Sequence, residues 1–306
     1  MEAILKGVKR EHLLKNFLNE EVDDAVLAYL TDADLKDLGV SKIGDRRRLL
    51  AAFAKLNHEG AMLQATPMSK ATVATPHVNS IGMPFVPVPG FKTLGCIWPT
   101  RVCDYKLYCI EKGIEFPDQI NPTDSTHPVI NVNWHDGIDF CLWLTAKERE
   151  AGLMPEDQFY RLLTDLEWSA AIGLSHESQE TPAERSKQKP GYPWGSGYPP
   201  LQGVGNYHQS LKVDDFEFTS PVGTFPANEF GYFDLSGNVW EWCMDNFNSS
   251  RAYHTLRGGA WDLYGSGLMS SARNANDPNS SGTSVGFRIA WAVQEHYSNH
   301  PKPVRA

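Results

Sequence analysis

Cysteine offers the most varied chemistry in this chain, since a thiol can bind a metal, form a disulfide or act as a nucleophile. The five cysteines are Cys96, Cys103, Cys109, Cys141 and Cys243. Their number is odd and none of them are in CxxC spacing, so the pattern predicts neither a zinc site nor a disulfide framework. Unpaired cysteines are typical of a reducing compartment, and we therefore expect a cytoplasmic protein.

A second group of candidate side chains lies in residues 261–285, a segment rich in small and polar residues. Asp262, Tyr264 and Ser266 could act as an acid or a nucleophile. A hydroxyl nucleophile needs a base beside it, and this segment contains no His or Cys. The pattern therefore favours ligand binding over catalysis, with Trp261 and Tyr264 as rigid aromatic anchors.

The composition indicates a folded chain and disfavours nucleic acid and membranes as its main partners. The 306 residues are 41% hydrophobic and 21% charged, enough to bury a sizeable core. A net charge of −9 argues against nucleic acid as the main partner. No apolar run is long enough to cross a bilayer, and residues 1–10 lack the apolar core of a signal peptide.

Residues 1–57 are predicted to form a compact helical bundle. Leu13, Leu14 and Phe17 recur with helical period, Thr31 suits an N-cap, and Gly39 suits a C-cap. Acidic residues cluster in the middle of the bundle and basic residues at its end, which would allow copies to stack head to tail. The residues predicted for this self-association are Asp32, Asp34, Asp37, Arg46, Arg47 and Arg48. The alternative is an ordinary solvated surface.

The rest of the chain divides into a linker, a large domain and a tail. Residues 58–80 are rich in Ala, Thr, Ser and Pro and are predicted to be a flexible linker. Residues 81–293 hold most of the aromatic residues and form the large domain, followed by a tail at 294–306. Within it we predict helices from Trp134 to about Glu150 and from Thr164, and strands over 85–88 and 129–132.

The helical region resembles a known interaction module. The run from Leu30 to Val40, Leu-Thr-Asp-Ala-Asp-Leu-Lys-Asp-Leu-Gly-Val, is followed by Ile-Gly-Asp-Arg-Arg-Arg-Leu-Leu at 43–50. Together they resemble the sterile alpha motif family over residues 5–57. The resemblance implies a five-helix protein-interaction module that often self-associates and has no catalytic role. Some members bind RNA, which the arginine run leaves open although the overall charge disfavours it.

The large domain resembles a second family through motifs that occur in order. They include His127–Trp134, Tyr160–Trp168, Phe230–Trp242, Leu256–Trp261 and Val285–Arg288. They look like the sulfatase-modifying-factor family, which includes the formylglycine-generating enzymes. The resemblance implies fold class α+β: a C-type lectin-like domain with little regular structure, here preceded by a small all-α bundle. Within it, we predict that Arg288 is a buried structural link.

The same resemblance implies two structural calcium sites, since calcium takes six to eight oxygen ligands. The first set consists of the carbonyls of Ser236, Gly237 and Val239 with the carboxylate of Glu241. The second set consists of the side chains of Asn206 and Asp214 with the carbonyls of Tyr207 and Phe216. The alternative for Glu241 is a buried carboxylate bonded to backbone N–H groups.

The decisive difference from formylglycine-generating enzymes lies after Arg257-Gly-Gly. The enzymes use two cysteines in this segment, and the matching positions here are Leu263 and Leu268. The enzyme chemistry needs soft thiolate ligands to hold copper, and leucine has no ligand atom. The sequence therefore predicts no copper site and no family oxygenase activity.

The segment 261–285 also resembles the diversified region of the variable proteins of diversity-generating retroelements. If the adenines of an AAC asparagine codon are randomised, the resulting codons cannot encode Lys, Glu, Gln, Met or Trp. After Trp261, only Met269 of this segment lies outside the set that they can encode. The alternative is a loop of small residues in an inert family member. The predicted variable ligand surface is Trp261, Asp262, Leu263, Tyr264, Gly265, Ser266, Ser270, Ser271, Asn274, Asn276, Asn279, Ser280, Ser281, Thr283 and Ser284.

These features together predict a non-catalytic protein that binds a protein ligand. The lectin-like domain would display the variable surface, and the helical domain would join copies of the chain or recruit a partner protein, which raises avidity. Two alternatives stay open: an enzyme with altered chemistry in the family pocket, and an inactive scaffold.

Overall fold

The computed structural model describes residues 5–6, 14–19, 30, 32–50, 52–53, 70–121, 124–174, 177–188, 191–195 and 197–294. The chain forms two compact units, residues 1–65 with 78–82 and residues 66–77 with 83–306. Within these described ranges, the helices are too short or too polar to cross a membrane.

The described helices of the N-terminal unit include α1 (Leu14–Asn19), α2 (Asp32–Asp37) and α3 (43–50). Its core contains Phe17 and Phe53, whose ring centroids are 6.3 Å apart, together with Leu35 and Leu49. Gly39 follows α2 with φ of 89°, so it fills the predicted C-cap position in a conformation that glycine adopts without strain. The predicted N-cap, Thr31, lies outside the described residues.

Two sheets are formed, mainly by residues of the second unit. Their strands are β1 (His77–Val78), β2 (Pro84–Pro87), β3 (Leu94–Cys96), β4 (Gln158–Leu162), β5 (Trp240–Asn246), β6 (His254–Arg257), β7 (Arg273–Asn276), β8 (Val285–Phe287) and β9 (Ile289–Val293). The orders are β1-β2-β3-β9-β4 and β7-β6-β5-β8. β5 and β8 are parallel, and β7 is an edge strand of the second sheet.

Four helices accompany the sheets: α4 (Val102–Lys112), α5 (Trp134–Glu150), α6 (Asp165–Ala171) and the short α7 (Pro182–Arg185). The predicted helix from Trp134 is therefore confirmed. It begins with a capping box in which Asn133 accepts from the Asp136 N–H. The predicted capping box at Thr164 is also confirmed, because its side chain accepts from the Glu167 N–H.

Two segments differ from the sequence-based expectation. Residues 129–132 are not a strand: the backbone N–H and C=O of Ile130 bond to the side chain of Gln119, which takes the place of a neighbouring strand. His77 falls within the predicted linker, yet its ring lies 4.1 Å from that of Trp291, so ordered structure of the second unit starts before residue 81.

Candidate ligand-binding surface

The segment 261–285 leaves strand β6 through the Arg257-Gly-Gly turn and returns as strand β8. Its exposed members form the observed candidate surface, and Tyr264 is the most prominent of them, with 63% of its area exposed. The others are Ser266, Asn274, Asp277, Asn279, Ser281 and Thr283. Six of these seven residues were predicted for the surface, and Asp277 was not.

Two predicted surface residues are wrong because they are buried. Ser270 donates its backbone N–H to the carbonyl of Gly191 at 3.0 Å. Ser271 donates its hydroxyl to the carbonyl of Gln188 at 2.6 Å. Both serines therefore attach the segment to the 188–191 loop and are not available to a ligand.

The remaining predicted residues are partly buried. Trp261 donates its indole N–H to the carbonyl of Thr283 at 3.2 Å and packs edge-on against Phe218. Asp262 has one carboxylate oxygen, Oδ1, that is buried without a hydrogen-bond partner in the described structure. The other partly buried members are Leu263, Gly265, Asn276, Ser280 and Ser284.

A buried charge cluster attaches the segment to the domain at two points, just before it begins and near its middle. The carboxylate of Asp165 binds Arg257 at 2.5 Å, Arg273 at 2.9 Å and Arg185 at 2.8 Å. Arg273 also binds Glu177 at 2.6 Å. Burial alone would raise the pKa of Asp165, but the guanidinium groups of Arg257 and Arg273 outweigh it and hold that pKa well below its ordinary value. The carboxylate therefore stays charged and anchors the segment.

Glu241, the carboxylate of the first predicted calcium set, already has partners within the protein. Its two carboxylate oxygens accept from Arg288 at 2.7 and 3.0 Å, and one of them also accepts from the indole N–H of Trp168 at 3.0 Å. Glu241 is therefore a buried, hydrogen-bonded carboxylate, as in the alternative, except that its donors are side chains and not backbone N–H groups; the calcium site at this set stays a prediction. The same contacts confirm Arg288 as a buried structural link. The backbone groups of Ser236, Gly237 and Val239 lie in the turn that leads into β5.

The second predicted calcium set fits better. The two carboxylate oxygens of Asp214 accept from the N–H groups of Tyr207 and Phe216, each at 3.0 Å, which brings all four predicted residues onto one loop. The Oδ1 atom of Asn206 is buried without a hydrogen-bond partner in the described structure. A buried, unsatisfied amide oxygen beside a carboxylate fits a hard cation.

The two leucines at the cysteine positions of the enzymes lie in an apolar cluster. Leu268 is 1% exposed and packs in a cluster with Tyr207 and Val213, with Leu263 and Trp194 at its margin. The backbone carbonyl of Leu263 accepts from the His208 N–H at 3.0 Å. This part of the segment is therefore packed as hydrophobic core and offers no thiol.

The charges predicted for self-association are only partly exposed. Arg46 is 6% exposed, bonds to Asp32 at 2.8 Å and donates to the carbonyls of Val40 and Ser41. The hydrogen bond to Asp32 raises the pKa of Arg46, as expected for a structural pair. The prediction was therefore wrong for Arg46, and Asp32 is already paired within the chain. The other four, Asp34, Asp37, Arg47 and Arg48, are exposed, and Arg48 also forms an ion pair with Asp45 at 3.7 Å.

An aromatic group that was not predicted from the sequence borders the surface. The rings of Tyr192 and Trp194 stack at 4.8 Å, and Tyr192 and Tyr198 stack at 5.5 Å. The Tyr198 hydroxyl accepts from the Gly265 N–H at 3.0 Å, and His208 contacts the ring of Tyr264. The close spacing of Tyr and Trp in residues 192–198 is the sequence feature that could have indicated this group.

Two sheets, few helices and long ordered loops define the second unit as a C-type lectin-like α+β domain. Residues 105–293 match the family described as Sulfatase-modifying factor enzyme 1-like domain, and the chain belongs to this family. Residues 5–57 match the SAM domain (sterile alpha motif), a protein-interaction module. Both family resemblances and the predicted fold class are therefore confirmed.

Similar proteins include both an active and an inactive member. The formylglycine-generating enzyme of Mus musculus is 30% identical over 205 residues, covering 58% of this chain and 47% of the enzyme. The inactive C-alpha-formylglycine-generating enzyme 2 of Bos taurus is 29% identical over 174 residues, covering 53% and 50%. The chain thus spans about half the length of these relatives. The structure of PvdO from Pseudomonas aeruginosa shares the fold, with a TM-score of 0.50 and 21% identity over 69% of this chain and 81% of that one.

Proposed function

We propose that this protein is a non-catalytic ligand-binding protein whose lectin-like domain presents a diversified surface on residues 261–285 to a protein ligand. The observation that carries this proposal is the apolar packing of Leu263 and Leu268 at the positions of the two enzyme cysteines. A relative named as inactive supports a non-enzymatic role within the family.

The five cysteines of the chain do not offer a replacement pair. Burial raises the pKa of every one of these thiols, that of Cys96 to about 12 and that of Cys109 to about 11. A protonated thiol is a poor metal ligand and a poor nucleophile. Their free state also supports the proposed cytoplasmic location, since none of the five is in a disulfide.

The structure of the segment suits diversification at some positions only. Arg273 is buried and bonded to Asp165, whereas its neighbour Asn274 is exposed. Strand alternation places successive side chains on opposite faces, so Asn274 can vary while Arg273 stays fixed. The exposed positions of residues 274–283 and Tyr264 are those we propose to be diversified.

An activity assay tests the non-catalytic proposal. Purified protein loaded with copper and incubated with a sulfatase-type cysteine peptide should yield no aldehyde by mass spectrometry, with a formylglycine-generating enzyme as positive control. Aldehyde formation by the wild-type chain would overturn it. The diversification itself predicts a near-identical repeat of the 261–285 coding sequence, differing at adenines, beside a reverse transcriptase gene; without such a repeat the inert scaffold is the better description.

We also propose that the SAM domain joins copies of the chain through its exposed charges. Arg47 and Arg48 on α3 would meet Asp34 and Asp37 of a neighbouring copy. Self-association of this kind makes several ligand surfaces act together and raises avidity.

Charge reversal tests this assembly by light scattering. Arg47→Glu with Arg48→Glu should reduce any assembly to monomers, and mixing this variant with Asp34→Lys, Asp37→Lys protein should restore a defined complex. Lys106→Glu with Lys112→Glu, on exposed positions of α4, makes the same change in net charge and should have no effect. An unchanged particle mass in the Arg47 and Arg48 variant contradicts the proposal.

The second calcium set is proposed as a structural site. Asn206 and Asp214 would supply side-chain oxygens, and Tyr207 and Phe216 would supply carbonyls. A bound calcium ion would neutralise the Asp214 carboxylate and fix the loop that carries Tyr207 against the Leu268 cluster.

A further inference from the structure

A cavity of about 210 Å³ opens in the lectin-like unit. Its walls come from three loops, around residues 193–194, 204–207 and 225–236. No residue of the segment 261–285 is among its described lining residues. The cavity shares Trp194 with the aromatic group that borders the candidate surface, but none of the residues proposed to be diversified line it, so an inference about it does not depend on that proposal.

The walls of this cavity are aromatic and offer few free polar groups. Trp194, Tyr207, Phe225 and Tyr232 line it. The Tyr232 hydroxyl donates to a backbone carbonyl at 3.1 Å, and the Tyr207 hydroxyl donates to Ser236 at 3.3 Å. Both tyrosine hydroxyls are therefore engaged within the protein, and the aromatic rings are what the walls present.

Asp234 is the one charged residue among the described lining residues. Its Oδ2 atom accepts from the N–H of Gly223 at 2.7 Å. The buried carboxylates of Asp165, Glu167 and Glu241 are each bound by an arginine, whereas the described ion pairs do not include Asp234. The cavity therefore combines a negative charge without a direct cationic partner and several aromatic rings.

We propose that this cavity binds a small quaternary ammonium compound, with its charge beside Asp234 and its methyl groups against the aromatic walls. Aromatic rings attract quaternary ammonium groups through cation–π interactions. A primary ammonium would need acceptors for three N–H donors, and the amide oxygen of Asn228 already accepts from two backbone N–H groups. A quaternary ammonium needs no acceptor.

The volume of the cavity suits a small ligand. At about 30 Å³ for each water molecule in the liquid, the space corresponds to about seven waters. Choline has that number of non-hydrogen atoms. Its neutral isostere 3,3-dimethylbutan-1-ol has the same shape without the charge, which makes the two compounds a matched pair of probes.

Calorimetric titration of the full-length protein, run in parallel with and without a chelator, tests the proposal. Choline should bind, and 3,3-dimethylbutan-1-ol should bind about tenfold more weakly or not at all. Asp234→Asn should lose about tenfold or more of the choline affinity, since it removes the charge and keeps the shape. Asp157→Asn, at an exposed position, is the matched control and should bind choline like the wild type.

Trp194→Leu provides an independent readout if Asp234→Asn does not fold. This variant removes one aromatic wall and leaves the carboxylate, so it should weaken choline binding more than binding of the neutral isostere. The proposal is overturned if folded wild-type protein binds no choline, if it binds both probes equally, or if folded Asp234→Asn retains the wild-type affinity. Displacement of choline by Ca²⁺ in buffer without chelator would assign the carboxylate to a metal ion and overturn it too.

Discussion

Replacing Arg273 with methionine should destabilise the lectin-like unit by about 3–5 kcal/mol, the usual cost of breaking a buried ion pair. The Arg273 side chain has no exposed area and bonds to Asp165 at 2.9 Å and to Glu177 at 2.6 Å. Methionine fills a similar length but leaves Glu177 buried without its cation. Asp165 keeps Arg257 and Arg185, so the loss is smaller than removal of Asp165 itself would cause.

The substitution should lower the stability of the whole unit and should loosen the proposed ligand surface in particular. Urea denaturation measures the change in unfolding free energy. In hydrogen exchange, Arg273→Met should accelerate exchange more in residues 261–276 than in helix α5. Arg273→Lys should recover part of the stability, since one ammonium group can bind only part of what the guanidinium fork binds. Arg251→Met, at an exposed position, is the control and should change stability little. A loss below about 1 kcal/mol for Arg273→Met would refute the view that this cluster anchors the segment.

Two further predictions concern pH and calcium. Burial lowers the pKa of His254 to about 4 from an ordinary value of 6.5, so the unfolded chain takes up the proton first, and stability is full above pH 6.5 and falls towards pH 4. Between pH 7 and 5 His254 by itself should contribute a loss of about 2 kcal/mol, which is measured as the difference in pH dependence between the wild type and His254→Gln in urea denaturation; the same pH dependence in both proteins would contradict this assignment. Chelation should lower the melting temperature of the wild type, because a ligand specific to the native state adds about 2.7 kcal/mol at about 100 times its Kd. Asn206→Ala should respond less to the chelator, and equal melting curves with and without chelator would argue against the site.

Local features of this chain could be predicted from sequence because their physical causes are local. The helix from Trp134 to Glu150 has its capping residue and its apolar positions within a few residues of each other, and the structure reproduces its bounds. Gly39 was predicted to end a helix because a left-handed residue is needed there, and its φ of 89° confirms this.

The failures share a different cause, which is a partner far away in sequence. Ser271 was predicted to lie on the surface, yet its hydroxyl donates to the carbonyl of Gln188, 83 residues earlier. Glu241 was predicted to be a metal ligand, yet its carboxylate accepts from Arg288, which lies 47 residues away in sequence. Composition and spacing do not report such pairings, so exposure and ligand roles at these positions could not be predicted.

The backbone contacts of the segment 261–285 explain how its exposed side chains could change without loss of the fold. The Trp261 N–H donates to the carbonyl of Asn238 at 3.0 Å, and the carbonyls of Pro278, Gly282 and Ser284 accept from backbone N–H groups elsewhere in the domain. These bonds use main-chain atoms, so they do not depend on side-chain identity. The exceptions are buried side chains such as those of Arg273 and Ser271. Because the attachment is made by the backbone and a few fixed residues, sequence variation at the exposed positions would alter what the surface binds and leave its support unchanged.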